Sequence, residues 1–466
     1  SLVERVLERP VETVAGVFKL VAYRDLLSRE VHVALVKGDF DHNEEVLVRV
    51  HEPLSIVDLL DKSSRIHSWR FDDALSTINR VGKGVLILIH RTEDGDSLLR
   101  HLQPTKESKP KVDLRKMNVA LGPVVVFGAS NFPFAFSTAG GDTAAALAAG
   151  CPVIVKSHPM HAATGEMVSS AVIKAANKTG MPNGVFSNLN SSGIEVGQEL
   201  VKHPKVKAVG FTGSIRGGRA LYDLAANRDE PIPVFAEMGS INPVILLPIA
   251  LKNRAEAIAK TYASSITLGT GQFCTNPGLI IGIKSEGLTN FVDTLAAQII
   301  EVEPSCMLHS NISDAYNTNK ANALSQSGIE VLASYNNDVK PNYAKQLVAT
   351  VEGDTFLNNP ILHHEVFGPF SLVVQCKNVE QLESIITNLE GQLTGTVISD
   401  ENEVTSYYKI VEALQNRVGR IIFNGVPTGV EVCTSMLHGG PYPASTDSRF
   451  TAVGVDSIKR FVRPFS

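Results

Sequence analysis

Between Gly122 and Arg228 the chain alternates short, wholly apolar runs with glycine turns and alanine-rich stretches: GPVVVFGAS, DTAAALAAG, CPVIVKSHP, GEMVSSAVIKAANKTG, VKAVGFTGS and GGRALYDLAANR. A strand with one wet face alternates apolar and polar residues, whereas a strand covered on both faces reads as a continuous apolar run. Runs such as VVVF and VIV therefore call for helices on both sides of their sheet. The succession strand, helix, strand, helix, strand, helix predicts a parallel, doubly wound α/β sheet.

A second α/β segment follows from about residue 248. Helices are expected around KNRAEAIAKTYASSITLG and TNFVDTLAAQIIEV, strands around LIIGIK, SLVVQC and TGTVIS, and a loop-rich end from Asn424. The first hundred residues read differently, with strands in VHVALVKGD, EVLVRVHEP and GKGVLILIH. One helix is expected there, in HSWRFDDALSTINRVGKG, capped by Ser68, with Trp69, Leu75 and Ile78 near helical spacing and a stop at Gly82. Residues 101 to 116, HLQPTKESKPKVDLRK, are polar, basic and proline-containing and read as a connection. At 466 residues, two to four domains are expected, and no internal repeat is visible.

Composition narrows the function classes. With 44% hydrophobic and 20% charged residues and a mean hydropathy near zero, the chain reads as a soluble globular protein. The net charge of -5 is spread along the chain, so neither nucleic acid nor an anionic membrane surface is an expected partner. The longest apolar runs have strand length, and SLVERVLERP lacks the apolar region of a signal peptide, so a cytoplasmic location is expected. Five widely spaced cysteines, Cys151, Cys274, Cys306, Cys376 and Cys433, suit neither a disulfide framework nor a zinc site, and are expected as reduced thiols. No metal is expected.

Four stretches carry candidate chemistry. GQFCTNPG sets Cys274 between glycines on a turn, where a thiolate nucleophile could be partly exposed; a free cysteine is more often an inert core residue. PVFAEMGSINPVIL sets Glu237 beside apolar neighbours that would raise its pKa towards that of a general base, against the commoner reading of a solvated loop carboxylate. VVVFGASNFPFAF places Asn131 after a strand, as a turn residue or as an amide donor to an oxyanion. Lys156 ends CPVIVKSHP, and AVGFTGSIRGGRA runs from a strand through Ser214, Gly217 and Gly218 into a helix, an anion site suited to a dinucleotide phosphate although no GxGxxG is present.

Taken together, NFP, VIVK, GFTGS, AEMGSINP, GQFC and HEVFGPF occur in the order and spacing of the aldehyde dehydrogenase superfamily, which residues 117 to 466 resemble. The forms FNGVPTGVEV and HGGPYPAST look most like the branch containing α-ketoglutaric semialdehyde dehydrogenases and an NADP-dependent fatty aldehyde dehydrogenase. The resemblance implies a dinucleotide-binding domain over 117–247, a catalytic domain over 248–430, and a segment over 431–466 that returns to the first. It implies NAD(P)-dependent oxidation of an aldehyde, for which α-ketoglutaric semialdehyde is the expected substrate, to a carboxylate. Cys274 would be the nucleophile, Glu237 the base that activates water, and Asn131 the oxyanion donor. Lys156, Ser157 and His158 would lie at the adenosine ribose, Gly213 and Ser214 at the pyrophosphate, and Glu365 and Phe367 at the nicotinamide. Members that prefer NAD often carry an acidic residue shortly after the lysine; Lys156-Ser157-His158-Pro159 has none, which points to NADP before NAD. A homodimer is an open option.

Residues 1 to about 104 resemble a different family. VETVAGVFKLVAYRD, HVALVKGD, VLVRVHEPLSIVDLLD and GVLILIHRTEDGD look like the GTP cyclohydrolase II-like half of bifunctional riboflavin-synthesis proteins, which implies an α+β segment, here incomplete. The active enzyme carries three zinc-binding cysteines shortly after the RVH strand; HEPLSIVDLLDKSSRIHSW has none, and His32, His51 and His67 alone are a poor ligand set. The segment therefore resembles the degenerate domain attached to dihydroxybutanone phosphate synthases, joined through 105–116. Two alternatives to a working dehydrogenase stay open: a catalytically impaired hybrid chain, and a riboflavin-pathway role for the N-terminal segment.

Overall fold

The computed structural model describes residues 3–26, 30–41, 44–51, 70–89, 116–401, 403–429 and 431–466. The chain divides into two compact units, residues 1–114 and 115–466. Ser68, Trp69, His67 and the connection at 105–115 lie outside the described residues.

The N-terminal unit is built on a five-stranded sheet of β1 (Val3–Thr13), β2 (Gly16–Asp25), β3 (Val31–Lys37), β4 (Leu47–His51) and β5 (Gly84–Leu88), in the order β1-β2-β3-β5-β4. All neighbours are antiparallel except β4 and β5. The helix α1 (Phe71–Val81) stops at Gly82, whose φ of 81° is left-handed and whose N–H bonds the carbonyl of Ile78. Ala74, Leu75 and Ile78 share one face of α1 and pack with Phe18, Leu35 and Leu86, which makes this an α+β unit with its own small core.

The larger unit holds two α/β sheets. In the first, β7 (Val124–Phe127), β8 (Val153–Lys156), β9 (Phe186–Leu189), β10 (Ala208–Thr212) and β11 (Val234–Glu237) form a wholly parallel sheet in the order β11-β10-β7-β8-β9. The helices α2 (Gly141–Ala148), α3 (Ala162–Lys178), α4 (Glu195–Lys202) and α5 (Ile215–Ala226) make the crossovers. Every residue of β7 from Val124 to Val126 is buried, as its continuous apolar run requires. The edge strand β9 reads FSNL, too polar to be legible as a buried strand.

The second sheet has seven strands, ordered β14-β15-β16-β13-β12-β17-β18: β12 (Val244–Leu246), β13 (Leu279–Ile283), β14 (Glu330–Ser334), β15 (Leu347–Glu352), β16 (Phe370–Cys376), β17 (Gln392–Ile398) and β18 (Val418–Phe423). Only β14 runs antiparallel to its neighbour. The helices α6 (Pro248–Thr267), α7 (Glu286–Ile300), α8 (Ser310–Leu324), α9 (Val379–Asn388) and α10 (Tyr408–Gln415) cover it. The chain leaves the first sheet at Glu237 and enters the second at Val244, so the crossing lies a few residues before the 247/248 division expected from sequence. Among the described residues no helix is long and apolar enough to cross a membrane.

The chain then returns to the start of this unit and forms a separate two-stranded sheet there. The last strand, β19 (Val462–Phe465), pairs antiparallel with β6 (Met117–Ala120). Just before it, the buried guanidinium of Arg460 meets Asp142 in the first turn of α2, Nη1 to Oδ1 2.7 Å, with the two side chains 4% and 10% exposed. Removing one partner of a buried pair strands the other charge. Asp142→Ala should therefore lower stability by about 3–5 kcal/mol, read as a shifted denaturation midpoint; an unshifted midpoint would show that the C-terminal return is held by other contacts.

Candidate active site

Cys274 sits on a loop whose path is forced. After α6 the backbone takes three consecutive left-handed steps, Gly269, Thr270 and Gly271, with φ of 55°, 60° and 65°. A Cβ on Gly271 would lie 2.2 Å from the carbonyl carbon of Gly368, so only glycine fits. Thr270 occupies a conformation that L side chains disfavour, and its hydroxyl is held by Ser305 at 2.6 Å. Beyond the turn, the amide of Asn242 clamps the loop: its Nδ2 donates to the carbonyls of Cys274 and Asn276, both at 2.9 Å. Its Oδ1 accepts from Ser240 at 2.9 Å and Thr394 at 3.0 Å. Cys274 is thus half-buried on a rigid loop, while Cys151 and Cys376 are buried and Cys306 and Cys433 exposed.

Glu237 ends β11 with its side chain buried, 4% exposed. Its surroundings are not the purely apolar ones expected, because the imidazole of His438, itself buried, lies 3.0 Å from Oε1 through Nε2. The same Nε2 is 3.6 Å from the Sγ of Cys274, and the three side chains bring one ligand-type atom each to within 4.8 Å of one another. Nδ1 of His438 is buried without a partner, so a neutral ring keeps its proton on Nε2, where acceptors stand. The main chain of His438 is fixed by its N–H to the Thr451 hydroxyl at 2.9 Å. Burial first, and then the charge and hydrogen bond of Glu237 and the charge of Glu365, push the Cys274 thiol well above its ordinary pKa.

His438 was given no part by the sequence reading. It lies in HGGPYPAST, 164 residues from Cys274, and only the return of the C-terminal segment brings it to the sulfur. Asn131 reaches the same loop, its Nδ2 donating to the carbonyl of Gln272 at 2.8 Å. An amide carries two such hydrogens, so one is left for a second acceptor. Glu365 folds back over Gly239, where an added Cβ would stand 2.6 Å from its Oε2, and takes the N–H of Ser240 at 3.5 Å. Burial raises its pKa to about 7. Glu365 and Phe367 line one narrow pocket with Phe273 and Asn276.

The remaining predicted residues gather at a separate groove, beyond the carboxyl ends of β7, β8 and β10. Lys156, Ser157, His158, Gly213 and Ser214 all line it, with an open volume of about 1630 Å³. Lys156 is 8% exposed, donates to the Ser191 carbonyl at 2.9 Å, and has its pKa lowered by burial. Ser214 caps α5, accepting from Gly217 N–H at 3.2 Å. Two residues differ from expectation in how they can contribute. The Ser157 hydroxyl is spent on Asn188 Oδ1 at 2.7 Å, and the Gly213 N–H on the Glu237 carbonyl at 3.0 Å. Gly213 contributes instead by its missing side chain, since a Cβ would lie 2.7 Å from the ring of Phe211. A helix N-terminus, a desolvated lysine and a groove of this size fit a dinucleotide.

The whole arrangement can carry out covalent catalysis on an electrophilic carbon: a thiol, an imidazole–carboxylate pair and an amide donor converge, with a dinucleotide groove formed by the same unit. Comparison with known proteins agrees. The family model described as "Aldehyde dehydrogenase family" matches residues 77–442, and that of GTP cyclohydrolase II matches residues 4–125. The chain is similar to α-ketoglutaric semialdehyde dehydrogenase 2 of Azospirillum brasilense, 48% identical over 363 residues, covering 78% of this chain and 69% of that protein. Its N-terminal part is similar to 3,4-dihydroxy-2-butanone 4-phosphate synthase of Neisseria meningitidis, 47% identical over 104 residues, which span 22% of this chain and 28% of that one. Among solved structures, the betaine aldehyde dehydrogenase of Staphylococcus aureus in complex with NAD+ shares the fold, with a TM-score of 0.63 at 17% identity over 75% of this chain and 67% of that one.

The raised thiol pKa has a direct readout. Alkylation of Cys274 by iodoacetamide should be slow at pH 7 and accelerate as pH rises, because the thiolate is the reactive form. Glu237→Gln removes a negative neighbour, so the thiolate is favoured and labelling at pH 7 should quicken by about tenfold for each pKa unit recovered. Unchanged or slower labelling would show that Glu237 does not oppose the thiolate.

Proposed function

We propose, for a chain that belongs to the aldehyde dehydrogenase family, that Cys274, His438, Glu237 and Asn131 are the groups that oxidise an aldehyde to a carboxylate. The observation that carries the reading is the convergence of Cys274, His438 and Glu237, with Nε2 of His438 3.6 Å from Sγ and 3.0 Å from Oε1. Cys274 attacks the aldehyde carbon as a thiolate, its proton having been given up to solvent water, which leaves Glu237 ionised for the later step. The tetrahedral oxyanion takes the second N–H of Asn131 and the backbone N–H of Cys274. A nicotinamide dinucleotide, when bound, supplies the acceptor for the hydride that leaves that carbon. Glu237 then takes a proton from the water that attacks the resulting thioester, oriented by the His438 N–H at 3.0 Å, and the carboxylate product leaves a free thiol.

The relatives named for α-ketoglutaric semialdehyde support that compound as the substrate of this chain. NADP is proposed in preference to NAD. Residues 156–159 bring Lys156 and His158 to the groove and no carboxylate. The neighbouring Glu166 is engaged by Asn188 and Asn190 at 3.3 and 3.2 Å. Burial, then the charges of His161, Lys156 and His309, hold His158 down at about 4. His158 is therefore uncharged near neutral pH, and with the lining carboxylate of Asp223 held by Arg219 at 2.8 Å, Lys156 is the cation that a ribose 2′-phosphate would pair with.

Four outcomes test the reading. Cys274→Ala should abolish reduced-cofactor formation while dinucleotide binding persists, and Glu237→Gln should keep a pre-steady-state burst while turnover falls by about 100-fold or more; loss of the burst would remove Glu237 from the deacylation step. kcat/KM with NADP should exceed that with NAD by about tenfold or more, as expected of one favourable charge pair, and His158→Glu should reverse the order. Dinucleotide affinity, followed by titration calorimetry, should rise with pH through about 7 as Glu365 ionises to accept ribose hydroxyls, and Glu365→Gln should flatten that rise; a flat profile in the unaltered protein would separate Glu365 from the cofactor.

A further inference from the structure

Thiolate, imidazole and carboxylate are the side chains that a borderline-soft divalent cation such as Zn²⁺ selects. Structural zinc sites write their cysteines as close pairs, and the five cysteines of this chain are widely spaced. Folding nevertheless gathers one such ligand set among the described residues. Cys274, His438 and Glu237, up to 201 residues apart in sequence, bring one ligand atom each to within 4.8 Å of one another. In the proposed oxidation these groups act one after another, as nucleophile, orienting group and base; at one moment and together they can hold a metal ion.

The spacings suit a tetrahedral ion. Bonds of about 2.3 Å to sulfur and about 2.0 Å to nitrogen span the 3.6 Å between Sγ and Nε2 at about 113°, and two bonds of about 2.0 Å span the 3.0 Å between Nε2 and Oε1 at about 97°. Each ligand is held from outside the cluster: Cys274 by the Asn242 amide on its carbonyl, His438 by its N–H to the Thr451 hydroxyl, and Glu237 by its place at the end of β11 and the bridge to Ser445. Oε2 of Glu237 is buried without a hydrogen-bond partner, so this carboxylate has accepting capacity that the protein leaves unused. Thiolate and carboxylate carry the two negative charges that neutralise a divalent ion, so no net charge is buried with it.

We propose that Cys274, His438 and Glu237 form an inhibitory site for Zn²⁺ or another thiophilic divalent cation, with three protein ligands and a fourth position on the open side of Cys274. Binding exchanges the thiol proton, released to solvent, for a metal–sulfur bond, and no electron is transferred. Sulfur and carboxylate engaged by the ion are lost to the attack on aldehyde and to the activation of water, while the groove lined by Lys156 and Ser214 stays open to the dinucleotide. Two features keep the site reversible. To bind through Nε2 the imidazole must carry its proton on Nδ1, which is buried without a partner, and a ligating ring without that outer hydrogen bond holds a metal about 10–100-fold less tightly. The thiol is also one that burial and Glu237 keep protonated. The site therefore fills when the cation is plentiful and empties to a chelator.

Zn²⁺ is spectroscopically silent, so Co²⁺, which takes the same ligands, is the first probe. Titrated into the reduced full chain, with neither aldehyde nor dinucleotide present, it should give a sulfur-to-metal charge-transfer band and the intense visible bands of a tetrahedral site; Zn²⁺ should abolish both and Mg²⁺ neither. Cys274→Ala should lose the charge-transfer band, and a band of full intensity in that variant would move the metal to the exposed Cys306 or Cys433 and overturn the site. Glu237→Gln separates three ligands from a lone thiol. It should weaken Zn²⁺ binding by about tenfold or more, as should His438→Ala, whereas a lone thiol relieved of its negative neighbour binds more tightly; equal or tighter binding in Glu237→Gln overturns the assignment. Zn²⁺ at nine-tenths occupancy should lower kcat/KM for the aldehyde by about tenfold and leave dinucleotide affinity unchanged; an unmoved kcat/KM overturns the inhibition. Should the variants fail to fold, judged by dinucleotide binding, iodoacetamide labelling of Cys274 in the unaltered protein decides: Zn²⁺ should slow it by about the same factor and EDTA restore it, and a rate that ignores Zn²⁺ overturns the site.

Discussion

The site depends on one buried amide. Asn242 sits where the chain crosses from the first sheet to the second, in a left-handed conformation with φ of 48°, and its side chain is fully buried. Its two hydrogens go to carbonyls on either side of the cysteine turn, and its oxygen collects hydroxyls from Ser240 and from Thr394 of β17. A nucleophile must be held to within a fraction of an ångström, and a loop does not achieve this unaided. Asn242 ties the loop to β17, one strand in from the edge of the larger sheet, so Cys274 inherits the rigidity of that sheet. The cost is a residue in a conformation that only asparagine, aspartate and glycine tolerate well.

A second dependence runs through the C-terminal segment. It leaves the seven-stranded sheet at β18, passes the catalytic loop, and ends in β19 against β6. On the way it delivers His438 to Glu237, and an isolated bridge between Ser445 and Glu237 fastens the backbone at the same point. The Arg460–Asp142 pair anchors its far end on α2. Catalytic geometry and the packing of the C-terminal segment are consequently one problem. A change that loosens the anchor also moves an imidazole that stands between a carboxylate and a thiol.

Much of the fold was legible because burial leaves a direct trace in composition. Strands covered on both faces are continuously apolar, as in β7, β8 and β13, and the helices between them are rich in alanine. Legibility failed where other forces set the structure. The edge strand β9 and the helix α8, SNISDAYNTNKANAL, are polar along most of their length and were not read as regular elements. Their existence follows from neighbours that supply the remaining backbone partners and apolar contacts, not from their own periodicity.

The chemistry divides in the same way. By itself the sequence determined that a parallel α/β sheet would form, because short-range patterns of glycine, burial and chain order are written residue by residue; Cys274, Glu237, Asn131, Lys156 and Ser214 were grouped by resemblance to a family's ordered motifs. Only the tertiary structure decided that His438 would be the imidazole at the thiol and that Gly213 would spend its N–H inside the sheet. Those facts concern distances between segments up to 201 residues apart, as for Glu237 and His438, and hydrogen-bonding capacity left over once every closer partner is counted. Neither quantity exists until the chain has folded, because each depends on which surfaces are buried together and not on which residues are neighbours in sequence.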